Sequence, residues 1–446
     1  MSDEKRASFG GKLSVILVAA GSAIGLGAIW RFPYIAGKHG GAAFLLVFLL
    51  SVFAVGIPVM LAEFAVGRSS RKNAVGAYRS LAKRWSWLGY IGVLGSLLIS
   101  GYYYVIAGWS LEYIVSSATN SLYSSSASFT DHFNEFQGSW RPLFYGIVFI
   151  LLTHLIVSSG VEKGIERASR IMMPVLLVIL LVMAVRVAFM PGAMDGYTFF
   201  LSPDFSAAFA PETILMAIGQ AFFSLSVGMG CMVTYASYFK NSNNLMTTSF
   251  NVALLTMLVS FLAGLVIFPA VFSAGLTPAE GPSLIFVTLP EIFKGMPFAA
   301  LWSAVFFFLV MLASLTSTIS FHEVLTAYFS EEFKISRKWG AGITSFISIL
   351  LSLLTVSVVF DVDVAGTKFT SFVDVFDYAS ANVLMPIGAL FTCIFVSFFM
   401  KREFMRNQLS NKGAIKSFLI PAIVFMLRYV TPLLILYIFI KKIGLL

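Results

Sequence analysis

The sequence predicts an all-α polytopic membrane protein with eleven transmembrane helices. Hydrophobic residues fill 58% of the 446 positions and charged residues 11%, against about 25% charged in a soluble domain. Mean hydropathy is +0.89. The apolar runs are continuous rather than alternating, which argues against a β-barrel.

Eleven runs qualify, near residues 12–36, 41–67, 87–117, 141–160, 168–190, 211–239, 246–275, 297–329, 339–360, 370–400 and 415–440. Span 1 follows a charged segment, residues 1–11, with no cleavable signal pattern. Spans 3 and 4 flank a Ser-rich stretch, 118–140, and spans 5 and 6 flank an acidic one, 191–212. With the N-terminus in the cytoplasm, 21 of the 30 Lys and Arg fall on the cytoplasmic side. That bias predicts a cell (inner) membrane protein with its N-terminus inside and its C-terminus outside. The net charge of +9 then reads as a topology signal, not as a nucleic-acid surface. Cys231 and Cys393 both lie within spans, so no structural disulfide is expected.

Several function classes are excluded. There is no Walker-type loop and no room outside the spans for a nucleotide-binding domain, which argues against direct ATP drive. His39, His132, His154 and His322 are scattered. His322-Glu323 has no second His four residues on, so an intramembrane protease signature is missing. No enzymatic activity is expected.

Span 1 contains Gly21, Gly25 and Gly27 with Arg31 close behind. Glycine weakens a helix interior by roughly 1 kcal/mol against alanine, and irregular backbone at membrane depth survives only inside protein or against a cavity. Ile24-Gly25-Leu26-Gly27 is echoed by Val227-Gly228-Met229-Gly230 in span 6, each closely preceded by serine. Spans 1 and 6 open two five-span halves, residues 12–190 and 211–400, with span 11 and an external C-terminus in 415–446. Such paired interruptions point to a 5+5 inverted repeat with discontinuous helices 1 and 6 and a site between them. Half-helix N-termini attract a carboxylate; freed carbonyls suit a hard cation such as Na⁺.

Polar residues inside spans are costly and mark sites or pairs. Arg31 and Asp377, near the outer ends of spans 1 and 10, read either as an external gate pair or as two interface residues. Glu63 in span 2 reads as an organiser of the first broken helix, as a proton site, or as a neutral hydrogen-bonded acid; Glu323 in span 8 is similar. Thr316, Ser317 and Thr318 form a hydroxyl cluster, of which one or two could face an ion while the rest bond back to the helix. Tyr103 could donate to a carboxylate or simply pack.

Four groups of residues resemble the neurotransmitter:sodium symporters in their bacterial amino-acid-transporter branch, and the likeness extends over spans 1 to 10. They are Gly21–Gly27 with Trp30–Pro33; Gly56–Pro58 with Glu63, Phe64, Gly67 and Arg68; Gly219, Gln220 and Ser224–Gly228 with Thr234–Tyr238; and Ala313 with Leu315–Ser317. Eleven spans fit a bacterial subset. The resemblance implies one sodium among the carbonyls of Gly21, Ile24 and Ala313 and the hydroxyls of Thr316 and Ser317. A second sodium would touch Ala23, Ser224 and Thr256, but Ala28 stands where an amide is common, leaving one or two ions. Chloride would use Gln220, Ser224 and Ser260, with Phe48 where a tyrosine is usual; the alternative is that Glu63 supplies the negative charge in its place.

For the substrate, the resemblance places a carboxylate at Gly25, Leu26 and Tyr103, and an ammonium at the carbonyls of Ala23, Phe223 and Ser226. The side chain would meet Ile99, Phe223, Val227, Met229, Ser317 and Phe321. This apolar lining, with no acid to receive a lone ammonium, favours a hydrophobic or aromatic L-amino acid. The external gate would be Arg31 with Asp377, capped by Phe223 and Tyr103; the internal gate would be Arg6 with Glu331, near Phe9 and Tyr238. The expected function is sodium-coupled amino-acid symport by alternating access. The rivals are proton coupling through Glu63 or Glu323, a channel, and a non-transporting amino-acid sensor. The expected partners are the amino acid and the lipid bilayer, with no nucleic acid and no signal for an oligomeric state.

Overall fold

The computed structural model describes residues 7–124, 128–276, 284–364 and 367–442. Among these, nine helices are long and apolar enough to cross a membrane: Ala42–Ser70, Lys83–Ala118, Arg141–Ser158, Val161–Ala188, Leu245–Ser273, Ala299–Glu332, Arg337–Ser357, Phe372–Phe399 and Leu419–Lys441. A bent pair, Lys12–Ala23 with Gly27–Lys38, turning by 58°, makes up to a tenth crossing. These follow the expected spans 2–5, 7–11 and 1.

Span 6, expected as one run over 211–239, is two short helices, Pro211–Ser224 and Cys231–Ala236. Between them Ser226, Gly228 and Gly230 all have positive φ, at 51°, 85° and 77°. Left-handed backbone cannot continue a right-handed helix. A Cβ on Gly228 would strike the Met385 carbonyl, so glycine is required there by both conformation and space.

The helices pack in two groups. Spans 3, 4, 8 and 9 lie against one another, with the two longest helices, 3 and 8, in the most extensive contact. Spans 1, 2, 6 and 7 form the second group, and span 5 leans on spans 1, 7 and 8. The broken segments therefore lie where one group meets the other.

Two connecting regions carry structure that composition did not reveal. The Ser-rich stretch contains a helix, Phe129–Gln137, whose N-cap Ser128 accepts from the Asp131 amide. Span 3 is tied to that region by Glu112, which is fully buried and bonded to Arg141 at 2.6 Å and Ser116 at 2.5 Å. Between spans 9 and 10, Val359–Val364 and Thr367–Ser371 pair as an antiparallel hairpin. Span 9 accordingly stops at Ser357; the alternation Val359, Asp361, Asp363 against Phe360, Val362 has the period of a strand.

Candidate functional site

The helix of span 1 ends at Ala23, and Ile24 takes extended backbone with φ −93° and ψ 94°. Its carbonyl receives the Thr316 hydroxyl at 3.1 Å, and the same hydroxyl lies 2.9 Å from the Ala313 carbonyl. Gly21 faces this point, since a Cβ there would come within 3.4 Å of Thr316 Cβ. Ser317 lies alongside but donates to the Ser22 carbonyl at 3.3 Å. Gly21, Ile24, Ala313, Thr316 and Ser317 thus gather where spans 1 and 8 touch. Neutral carbonyl and hydroxyl oxygens are the donor chemistry a hard monovalent cation takes.

Two residues on, the Leu26 amide donates to the Tyr103 hydroxyl at 2.9 Å. A Cβ on Gly25 would fall on Ser317 Oγ and 2.7 Å from Tyr103 Oη. Beside this amide is a cavity of about 20 Å³. Of the residues expected around a substrate, Ala23, Gly25, Ile99, Tyr103, Phe223, Ser226, Met229, Ser317 and Phe321 line it. Leu26 lines a second cavity of about 290 Å³ with Trp30, Arg31, Tyr102 and Asp377. Val227 is fully buried and absent from both linings. Its amide bonds to the Phe222 carbonyl, and Met229, two residues on, lines the smaller cavity. Cys231 and Ser320 also line the smaller cavity, and the sequence reading missed both. Their signals were available, since Cys231 follows the last glycine of the span 6 break and Ser320 lies one helical turn from Thr316 and Ser317.

Glu63 belongs to the second break, not the first. Its Oε1 accepts the Gly228 amide at 2.6 Å, while Ser96 donates to the Met229 carbonyl at 2.8 Å. A carboxylate among unwound amides satisfies a donor that the helix has released. Glu63→Ala is expected to lower stability by about 1–3 kcal/mol, the cost of a buried unmet amide, read as an earlier thermal unfolding midpoint in detergent. Glu63→Gln, which keeps the volume and an acceptor, should restore most of the loss; equal losses in both would assign the effect to the carboxyl group itself and not to the Gly228 hydrogen bond.

The other ion residues are partly engaged. Gln220 Nε2 donates to the Gly27 carbonyl at 2.7 Å and to Ser224 at 2.9 Å, tying the two breaks together. Thr256 is spent on its own helix, donating to the Val252 carbonyl at 2.9 Å. Phe48 packs on Phe32 with ring centroids 5.1 Å apart, an apolar contact where an anion would want a donor. Ser260 Oγ is buried without a hydrogen-bond partner among the described residues.

The expected gates are placed at opposite ends of the site. Arg31 and Asp377 face the larger cavity together, but no ion pair within 4 Å joins them among the described residues. Instead Tyr102 donates to Asp377 at 2.9 Å, and the Arg31 guanidinium lies 4.5 Å over the Phe223 ring. Each member thus holds an aromatic partner on the wall of the same cavity. At the other end Phe9 is buried among Tyr235, Tyr238 and Phe239, and its amide bonds to the Tyr238 carbonyl at 3.2 Å. Glu331 accepts from the Asn73 amide at 2.8 Å and its side chain at 3.1 Å. Arg6 lies outside the described residues. Tyr238 reaches Glu323 at 2.6 Å, and Glu323 is ion-paired with Arg337, so it is neither isolated nor unpaired. One end of the site is closed while the other holds a cavity.

The profile of the sodium:neurotransmitter symporter family matches residues 6–137 and 135–445. The chain belongs to that family. A sodium-dependent transporter of Bacillus subtilis (strain 168) is 39% identical, with both chains covered in full. A sodium-dependent dopamine transporter of Caenorhabditis elegans is 27% identical over 75% of this chain and 65% of that protein. Among solved structures, MhsT in complex with L-phenylalanine superposes with a TM-score of 0.90 at 38% identity, covering 98% of this chain and 100% of that one. The family consists of sodium-dependent symporters with multiple membrane-spanning helices, and sodium use follows from membership.

Proposed function

We propose that the protein couples inward movement of sodium to import of a hydrophobic or aromatic L-amino acid by alternating access. The observation that carries this reading is the meeting of two broken spans beside a hydroxyl–carbonyl cluster. Thr316 gathers the Ile24 and Ala313 carbonyls, and the Leu26 amide stands two residues beyond Ile24, held by Tyr103. A cation and a carboxylate could occupy these adjacent positions. The resemblance to MhsT, which binds L-phenylalanine in its solved complex, supports the substrate class.

In this reading the chain forms eleven spans as two inverted halves, 12–190 and 211–400, followed by span 11, in the cell membrane with the N-terminus inside. The Phe9–Tyr238 closure is then cytoplasmic and the Arg31–Asp377 vestibule external. Sodium enters the Thr316 cluster, and the substrate carboxylate takes the Leu26 amide from Tyr103. The vestibule closes over Phe223, and the Phe9 seal opens. A membrane potential supplies about 2.3 kcal/mol per charge per 100 mV, so each coupled sodium adds substantial concentrating power. Second-sodium ligation by Ala23 and Ser224, with Thr256 turned away, would be weaker than the first.

Uptake of labelled L-phenylalanine into proteoliposomes tests this. Replacing external Na⁺ by K⁺ or choline at fixed pH should reduce accumulation to the level of empty liposomes. Accumulation that persists without Na⁺ but follows an imposed pH gradient would transfer the coupling to a proton.

A further inference from the structure

We infer that Ser22 selects among aromatic substrates, favouring those whose ring carries a hydrogen-bond donor, a phenol or an indole. The inference rests on the amino-acid reading above. Ser22 is buried in span 1 at 2% exposure and lines the cavity of about 20 Å³ between the two breaks. Its carbonyl is occupied twice, by the Ser226 hydroxyl at 2.8 Å and the Ser317 hydroxyl at 3.3 Å. Its own hydroxyl has no hydrogen-bond partner among the described residues.

That hydroxyl is unusual in this molecule. Helix-interior serines normally bond back to the preceding turn, as Ser100 does to Leu97, Ser110 to Ala107 and Ser314 to Val310. Ser22 does not. The other serine hydroxyls on the cavity are engaged: Ser226 and Ser317 with Ser22, and Ser320 with the Thr316 carbonyl at 3.1 Å. The polar group beside the Ser22 hydroxyl is the Cys231 thiol, which can bond only weakly to it and to Ser96 because a thiol is a weak donor and acceptor. A buried hydroxyl left unpaired is costly, and a ligand group that pairs it recovers that cost on binding.

The rest of the lining decides what kind of group this can be. Ile99, Met229 and Phe321 are apolar, and no charged side chain lines the cavity. A charged or strongly polar side chain would lose its water there without a partner. At about 20 Å³ the cavity takes no more than a water and must widen for a substrate; once widened, a flat apolar ring with one N–H or O–H satisfies both the walls and the Ser22 oxygen. The two hydroxyls on the Ser22 carbonyl fix the residue, so the acceptor is held in position before the substrate arrives.

The test is equilibrium binding of L-phenylalanine, L-tyrosine, L-tryptophan and 4-fluoro-L-phenylalanine to the full chain in nanodiscs at saturating Na⁺. Wild-type protein should bind tyrosine and tryptophan more tightly than phenylalanine, and 4-fluorophenylalanine, which fills similar space without a donor, should group with phenylalanine. Ser22→Ala should weaken tyrosine and tryptophan about tenfold, the scale of one buried neutral hydrogen bond, while phenylalanine stays within about twofold. Phenylalanine binding in that variant also reports that it is folded. If tyrosine and tryptophan are unaffected, or all four ligands fall together, Ser22 is not a selector. If the variant fails to fold, the wild-type comparison of tyrosine with 4-fluorophenylalanine decides alone, and equal affinities overturn the inference. Absence of Na⁺-dependent binding of all four ligands to wild type would overturn the amino-acid reading and this inference with it.

Discussion

The double change Thr316→Val, Ser317→Ala is expected to abolish Na⁺-stimulated binding of L-phenylalanine in folded protein. Thr316 is the one side chain that reaches both the Ile24 and the Ala313 carbonyls, at 3.1 and 2.9 Å. Valine keeps its volume and β-branching, so packing is nearly preserved while the oxygen is lost. Removing two of five oxygen ligands leaves a monovalent cation with three carbonyls, too few to replace its hydration shell. Thr316→Ser, which retains the hydroxyl, should keep measurable Na⁺ dependence. The readout is ligand binding titrated with NaCl at constant ionic strength, with choline as the counter-salt. A variant that still binds with the wild-type Na⁺ dependence would show that the ion lies elsewhere.

Gly25→Ala should weaken substrate binding by about a hundredfold or more, the combined scale of overpacking and a lost charge-assisted hydrogen bond. Its Cβ would fall on Ser317 Oγ and 2.7 Å from Tyr103 Oη, filling the position proposed for the substrate carboxylate. The Gly21, Ile24 and Ala313 carbonyls and the Thr316 hydroxyl remain, so stabilisation by NaCl over KCl in a thermal-unfolding assay should be reduced by the displaced Ser317 hydroxyl but not lost. That split separates a blocked carboxylate site from a disrupted cation site. Wild-type affinity in Gly25→Ala would mean the carboxylate binds away from this amide.

Much of the fold was legible because crossing lipid imposes length and hydrophobicity on each helix. The limits of spans 2, 3, 7, 8 and 10 were read within a few residues for that reason. The break in span 1 was legible because glycines recur there with an arginine close behind. The hairpin at 359–371 was not, because its strands are short and partly polar. The buried Glu112 was also missed: a lone acid in an apolar run gives no sign of its partner, and Arg141 opens the next span. The acids Glu63 and Glu323 stood out as costly, but their roles depended on neighbours far away in the chain. Glu63 holds Gly228, 165 residues on; Glu323 holds Arg337 and Tyr238.

The sequence by itself determined that this chain crosses a membrane repeatedly, that two of its spans are interrupted by glycine, and which residue types surround the interruptions. Those properties follow from local cost: apolar length, helix propensity and the price of charge in lipid. Only the tertiary structure decided which groups meet. It buried Val227 and brought Cys231 and Ser320 to the smaller cavity. It set Arg31 and Asp377 on one cavity wall, each with an aromatic partner. Among the described residues it left the Ser22 hydroxyl facing a cavity with only the Cys231 thiol beside it. These outcomes depend on how two helix groups pack and on where each released backbone amide and carbonyl finds a partner. That matching is settled across hundreds of residues of separation, where no local pattern in the chain records it.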